Sequence, residues 1–251
     1  MSLSLFDLSG KTALITGSSQ GIGLTLADGL AKAGARVVLN GRDWDKLSRV
    51  SASIKGAALL AFDVTDHGAA RQAIDGFEAS DGPIDILINN AGMQFRTPLE
   101  DYPPEMFEKL FATNVTSVFN VGQAVARHMI KRGTGKIINI ASVQTALARP
   151  GIAPYTATKG AVANLTKGMA TDWGPKGLQV NAIAPGYFDT PLNAALVADT
   201  DFSAWIARRT PIGRWGKLEE LTGAAIFLAS DASSFVNGQV LFVDGGMTAC
   251  L

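Results

Sequence analysis

The chain has 251 residues, 47% of them apolar and 18% charged, which is enough to bury a large core. Lysine and arginine total 22, as do aspartate and glutamate, and no block of like charge stands out, which speaks against nucleic acid or an anionic membrane as partner. The one cysteine, Cys250, excludes an internal disulfide framework, and no apolar run reaches the ~18 residues of a membrane-spanning helix.

Short apolar runs alternate with longer helical patterns. Residues 12–16 read as a first strand and 22–33 as a helix stopped by Gly34. A second strand is expected at 36–40, a helix from Asp43 to about 54, a third strand at 58–62 and a helix over 66–79. A fourth strand follows at 84–88, then one long helix over roughly 104–131 and a fifth strand at 136–140. A helix over 153–173, a sixth strand at 178–184, two helical pieces near 201–209 and 218–229, and a seventh strand at 240–243 complete the pattern. Strands that are apolar throughout, separated by helices, predict a parallel sheet covered on both faces: one doubly wound α/β domain over 1–251. Its least regular stretch, about 185–210, is the expected substrate lid, and Phe188, Leu192 and Leu196 could make that lid apolar. The N-terminus has no basic segment leading into an apolar one, so with a single cysteine a reducing cytoplasm is the expected location.

The first strand runs through Gly17-Ser-Ser19-Gln20-Gly21-Ile22-Gly23 straight into a helix. A glycine-rich turn admits a phosphate close to the backbone, and the helix start adds free N–H groups and a positive dipole end. The end of the second strand is where an adenosine ribose would lie. Asn40-Gly41-Arg42 stands there without a carboxylate, and the Arg42 fork could pair with a 2′-phosphate. That favours NADP, with NAD as the alternative. Asp63-Val64 follows the third strand, as an adenine acceptor or as an ordinary turn aspartate. Asn89-Asn90-Ala91-Gly92 follows the fourth, where small turn formers belong beside a ligand.

Tyr155 and Lys159 are four apart, which on a helix puts them on one face. An ammonium beside a phenol favours the phenolate, so the Tyr155 pKa is expected to fall and to suit proton exchange with an alcohol oxygen. Ser142, 13 residues earlier at the end of the fifth strand, can hydrogen-bond that oxygen. Asn114, a mediocre helix former inside the long helix, either caps a local kink or serves the site. Gln94, Arg96, Gln144 and Arg149 follow strand ends at the pocket mouth, and they suit the carboxylate and hydroxyls of a sugar acid, with Arg96 as first choice for the carboxylate. His67 and His128 lack companions at metal-ligand spacing, so no metal is expected.

Taken together, Gly17-x-x-x-Gly21-x-Gly23, Asn89-Asn-Ala-Gly92, Asn114, Ser142, Tyr155-x-x-x-Lys159 and Pro185-Gly186-x-x-x-Thr190 resemble the short-chain dehydrogenase/reductase family over essentially the whole chain. The resemblance implies a Rossmann-type domain that binds NAD(P), with Tyr155 as acid/base. It implies that Lys159 lowers the Tyr155 pKa and holds the nicotinamide ribose, that Ser142 orients the carbonyl, and that Asn114 holds a water relaying protons to Lys159. Thr190 would meet the nicotinamide carboxamide, and a homotetramer is the implied assembly. The segments 92–99, 141–144, 148–154 and 187–193 resemble the branch of the family that interconverts gluconate and 5-keto-D-gluconate, commonly with NADP. Two alternatives stay open: a reductase of 3-oxoacyl thioesters or neutral polyols, and a non-catalytic dinucleotide sensor.

Overall fold

Successive residues of a strand face opposite ways, and that period sorts the core of this protein into two layers. The computed structural model describes residues 4–250. Its strands are β1 (Thr12–Ile15), β2 (Arg36–Gly41), β3 (Ala58–Ala61), β4 (Ile86–Asn89), β5 (Gly135–Ile140), β6 (Leu178–Pro185) and β7 (Val240–Val243). They pair in parallel throughout, in the order β3-β2-β1-β4-β5-β6-β7. Leu14, Val38, Leu87, Ile137 and Val180 belong to one buried cluster; their neighbours Ala13, Ile15, Val37, Leu39, Ile86, Ile88, Ile138 and Ile183 belong to the other. Both faces are therefore dry, and truncating a fully buried side chain such as Leu87 to alanine costs about 2–5 kcal/mol.

The helices are α1 (Gly21–Lys32), α2 (Trp44–Ser51), α3 (His67–Ser80), α4 (Pro104–Phe111), α5 (Ser117–Arg132), α6 (Ala153–Trp173), α7 (Ala194–Ala198), α8 (Thr200–Arg209) and α9 (Thr222–Ala229). Asp43 and Asp66 start α2 and α3 by accepting hydrogen bonds from Lys46 N and Ala69 N, at 3.0 and 2.9 Å. Residues of α1, α2 and α9 pack in one cluster, residues of α3, α5 and α6 in the other.

Three expectations are corrected. The long helix over 104–131 is broken by a π-turn at Ala112–Thr116, between α4 and α5. Asn114 lies inside it, and its amide bonds the backbone of Met93 in preference to facing a regular helical turn. The segment 185–210 contains more helix than the sequence pattern suggests, because Asp199 caps α8 and a further short helix, α7, precedes it. The helical piece over 218–229 opens with a 3₁₀ turn, Leu218–Leu221, before α9 begins.

With every strand parallel, the strand C-termini share one edge. From β1 the chain builds outward to β2 and β3; from β4 it builds the other way. The crevice above β1 and β4 is the place such a sheet offers a ligand.

Candidate active site

A cleft of about 790 Å³ runs along that edge, and every site residue expected from the sequence lines it except Asn114. At the β1 end the turn is held by close backbone packing. Gly17 has φ +61°, and a Cβ there would stand 2.9 Å from the Ala91 Cα. A Cβ on Gly23 would come within 2.5 Å of Asn90 Nδ2 and 2.6 Å of the Gly17 carbonyl. Asn90 fastens the turn by donating from Nδ2 to the carbonyls of Thr16 and Gly17, at 2.9 and 3.1 Å. The first turn of α1 carries no side-chain cap, since Gln20 makes no capping bond. Its N–H groups stay available, which fits the phosphates of a dinucleotide.

Asn40 is buried, and its amide is committed to the fold. Nδ2 donates to the carbonyls of Leu60 and Phe62, and Oδ1 accepts from Gly17 N at 3.4 Å. Its side chain therefore positions the turn. Arg42 is largely exposed, with one loose ion pair to Asp63 at 3.7 Å. Burial pushes the Asp63 carboxyl up, but bonds from Thr65 and the Arg42 charge outweigh it and hold the pKa below the usual carboxylate range. Asp63 is also the one carboxylate lining the cleft among the described residues. Lys46 stands beside Arg42 at the cleft wall, bonded to Gln20 Oε1. The sequence reading missed this second cation, although it sits one helical turn beyond Arg42.

Tyr155 and Lys159 lie one turn apart on α6. The Lys159 Nζ donates to the Ile140 carbonyl at 2.7 Å and lies 5.6 Å from the centre of the Tyr155 ring. The expected fall in the Tyr155 pKa is reversed. Burial pushes the phenol up to about 12, and the Ser142 hydroxyl and the Arg96 charge offset that only in part. Burial also lowers the Lys159 ammonium to about 8, so the lysine is itself poorly solvated as a cation. In this state the phenol is a proton donor. Ser142 stands next to it, and its Oγ accepts from Gln144 N at 3.2 Å. Asn114 sits behind the cleft wall: Oδ1 accepts from Met93 N at 2.8 Å, and Nδ2 donates to Met93 O and Thr158 Oγ1 at 3.0 and 3.2 Å. Both halves of its side-chain amide are thus bonded within the fold.

The other end of the cleft is made of side chains. Arg96 Nη2 donates to Gln94 Oε1 and Asn193 Oδ1, both at 3.2 Å. Burial and the like charge of Arg149 lower its pKa. Arg149 Nε donates to the Tyr187 hydroxyl at 3.1 Å, and its guanidinium lies 5.5 Å from the centre of the Phe202 ring. Among the described residues no carboxylate pairs with either arginine. Thr190 is buried and accepts from Asn193 N at 3.1 Å. Phe188, Leu192 and Leu196 all line the cleft, but Phe188 is also buried in the core, where a Cβ on Gly216 would stand 2.5 Å from its ring. Tyr187 and Asn193 are further cleft residues that the sequence reading did not select. Their sequence signals are position, since both follow the end of β6, and membership of the segment 187–193 that carries the resemblance.

A family model described as enoyl-(acyl carrier protein) reductase matches residues 17–248. The chain is 62% identical over 251 residues to gluconate 5-dehydrogenase of Gluconobacter oxydans (strain 621H), covering 98% of each chain. It is 48% identical over 247 residues to 5-keto-D-gluconate 5-reductase of Escherichia coli (strain K12), covering 97% of each. Among solved structures, a gluconate 5-dehydrogenase from Burkholderia cenocepacia J2315 in complex with NADP and tartrate superposes with a TM-score of 0.98 at 58% identity, covering all of both chains.

Proposed function

Because this chain belongs to the short-chain dehydrogenase/reductase family, we propose that it is an NADP(H)-preferring oxidoreductase that interconverts D-gluconate and 5-keto-D-gluconate. The observation that carries the substrate is the pair of arginines: Arg96 and Arg149 line the same cleft as Ser142 and Tyr155, and among the described residues no carboxylate pairs with either. A substrate carboxylate supplies that charge, and Gln94, Asn193 and Gln144 offer polar partners for its hydroxyls. The activities of the relatives, gluconate 5-dehydrogenase and 5-keto-D-gluconate 5-reductase, support the same reading, as does the NADP in the Burkholderia structure.

When bound, the nicotinamide group supplies hydride to a ketone carbon and takes it up in the reverse direction. Gly17, Ser19, Gln20, Gly21, Ile22 and Gly23 hold its phosphates, and Arg42 with Lys46 faces the 2′-phosphate. Asp63 and Val64 flank the adenine, while Asn90, Ala91, Gly92, Pro185, Gly186 and Thr190 line the way to the nicotinamide. Tyr155 donates a proton to the ketone oxygen, held in place by Ser142. The phenolate that remains is stabilised by the Lys159 ammonium, which also reaches toward the ribose. Segment 185–210 acts as the substrate lid. The assembly is a homotetramer in the cytoplasm; fully exposed Phe235 and half-exposed Leu241, beside the β7 edge of the sheet, supply apolar surface for a partner copy.

The test is a panel assay following NADPH absorbance with 5-keto-D-gluconate, 3-oxoacyl thioesters and neutral ketones. Arg96→Ala should lower kcat/KM for 5-keto-D-gluconate on the order of 10- to 100-fold and leave neutral ketones nearly unchanged. An equal loss for both removes Arg96 as the carboxylate partner. Faster turnover of a thioester by the wild type moves the substrate to the acyl class.

A further inference from the structure

Next to Ser142 the cleft wall carries a donor and an acceptor whose partner on the substrate the reading above leaves unassigned. Gln144 is 6% exposed, and its Oε1 has no hydrogen-bond partner among the described residues. Its Nε2 donates to the Tyr187 hydroxyl at 3.5 Å, and Arg149 Nε donates to the same oxygen at 3.1 Å. With two donors aimed at its oxygen, that phenol is left to give its own proton, and among the described residues it has no acceptor.

The pair is rigidly mounted. The Tyr187 ring meets Phe202, Trp205 and Trp215 edge-on, with centroids 5.7, 6.2 and 5.8 Å apart. Trp215 Nε1 donates to Ser203 Oγ at 3.1 Å, which fixes that side of the cage. Gln144 is anchored at its backbone, where its N–H donates to Ser142 Oγ.

A free acceptor beside a free donor is the complement of an alcohol, which gives one hydrogen bond and takes one. A ketone oxygen could use only Tyr187, and a methylene could use neither. We propose that Gln144 and Tyr187, braced by Arg149, form a hydroxyl-recognition subsite for the alcohol on the carbon next to the reacting one. The adjacent carbon is assigned because the Gln144 backbone N–H donates to the Ser142 hydroxyl, so the Gln144 side chain sets out from beside the group that holds the reacting oxygen. The subsite rests on the gluconate reading, in which the carbon oxidised is C5 and the neighbouring alcohols are at C4 and C6. It makes the enzyme selective for polyhydroxy acids over the corresponding deoxy compounds, because removing the hydroxyl leaves a buried amide oxygen unpaired.

The experiment compares kcat/KM for D-gluconate, 4-deoxy-D-gluconate and 6-deoxy-D-gluconate with NADP, in the wild type, Gln144→Met and Tyr187→Phe. The wild type should lose on the order of 10- to 100-fold with one deoxy compound and keep the other. Gln144→Met should lose a similar factor on D-gluconate, while its own preference for gluconate over that deoxy compound shrinks to about twofold. Tyr187→Phe, which keeps the aromatic cage, should show the same pattern at smaller size, and it carries the comparison alone if Gln144→Met fails to fold. The proposal is overturned if the wild type accepts both deoxy compounds like gluconate. It is equally overturned if the variants lower all three substrates in proportion, which is what a purely structural amide would do. If the wild type does not oxidise gluconate at all, the gluconate reading fails by itself. The variants are then compared on 2,3-butanediol against 2-butanol, where a retained preference for the diol overturns the subsite and a lost one supports it.

Discussion

At the β1–β2 end of the cleft the ligand-facing groups are mostly backbone: the N–H groups at the start of α1 and a turn so tight that two glycines admit no side chain. At the β5–β6 end they are side chains, held by partners distant in sequence, as Arg96 is by Asn193 and Arg149 by Tyr187. On the proposed reading the first end holds the phosphates that every dinucleotide shares, with Arg42 and Lys46 at its rim to tell NADP from NAD. The second end would select the substrate, and its parts can change one at a time without disturbing the sheet. Tyr155, Ser142 and Lys159 stand at the junction, where the two halves must meet on one carbonyl.

The comparison can be broken at the junction first. Tyr155→Phe should lower kcat by about 10²- to 10⁴-fold in either direction, because the proton source is gone, while NADPH affinity in a fluorescence titration stays the same. Turnover near the wild-type rate would remove Tyr155 from the chemistry. At the backbone end, Gly23→Ala should destabilise the fold by about 1–3 kcal/mol in denaturant unfolding, since the new Cβ overlaps Asn90 Nδ2 and the Gly17 carbonyl. An unchanged midpoint would mean that the turn tolerates displacement. Arg42→Ala should raise KM for NADPH about tenfold and leave KM for NADH unchanged if, as proposed, this guanidinium meets the 2′-phosphate. Equal changes would place the arginine elsewhere.

The smallest effect concerns pH. Burial brings the Lys159 pKa to about 8 and the Tyr155 pKa to about 12, so above about 8 the lysine is neutral while the phenol still holds its proton. Reduction converts the phenol to a phenolate that the ammonium stabilises, and it should slow roughly threefold to tenfold as pH rises through about 8. Oxidation needs the phenol deprotonated and should quicken over the same range. Lys159→Met should remove the limb near pH 8; a limb that persists in that variant belongs to another group.

The difference between the two ends also governs what the chain discloses when read in order. Strand and helix periodicity, the glycine spacing before α1, and the four-residue step from Tyr155 to Lys159 are local, so they are legible. Asp43 and Asp66 cap helices where the sequence suggests that helices begin. An asparagine inside a helical pattern marked a kink at Asn114 as one alternative, but not its form or partner: the π-turn is tied to Met93, 21 residues away, by hydrogen bonds that no local spacing encodes. Lys46 is close enough to Arg42 to have been noticed, but only the packing of α2 against the α1 turn brings it to Gln20. Phe188 lines the cleft beside Leu192 and Leu196 as expected, but that its ring is also core depends on Gly216, which leaves room for it.

The sequence by itself determined the doubly wound sheet, the phosphate turn and the presence of a phenol–ammonium pair, since each depends on spacings that a helix or strand converts directly into geometry. Tertiary structure decided the rest. It turned the expected fall in the Tyr155 pKa into a rise, because desolvation outweighs a lysine whose Nζ is bound to the Ile140 carbonyl. It gathered Arg96, Arg149, Gln144 and Tyr187 onto one wall. Burial and convergence are properties of elements meeting across the sheet, and no local spacing encodes them.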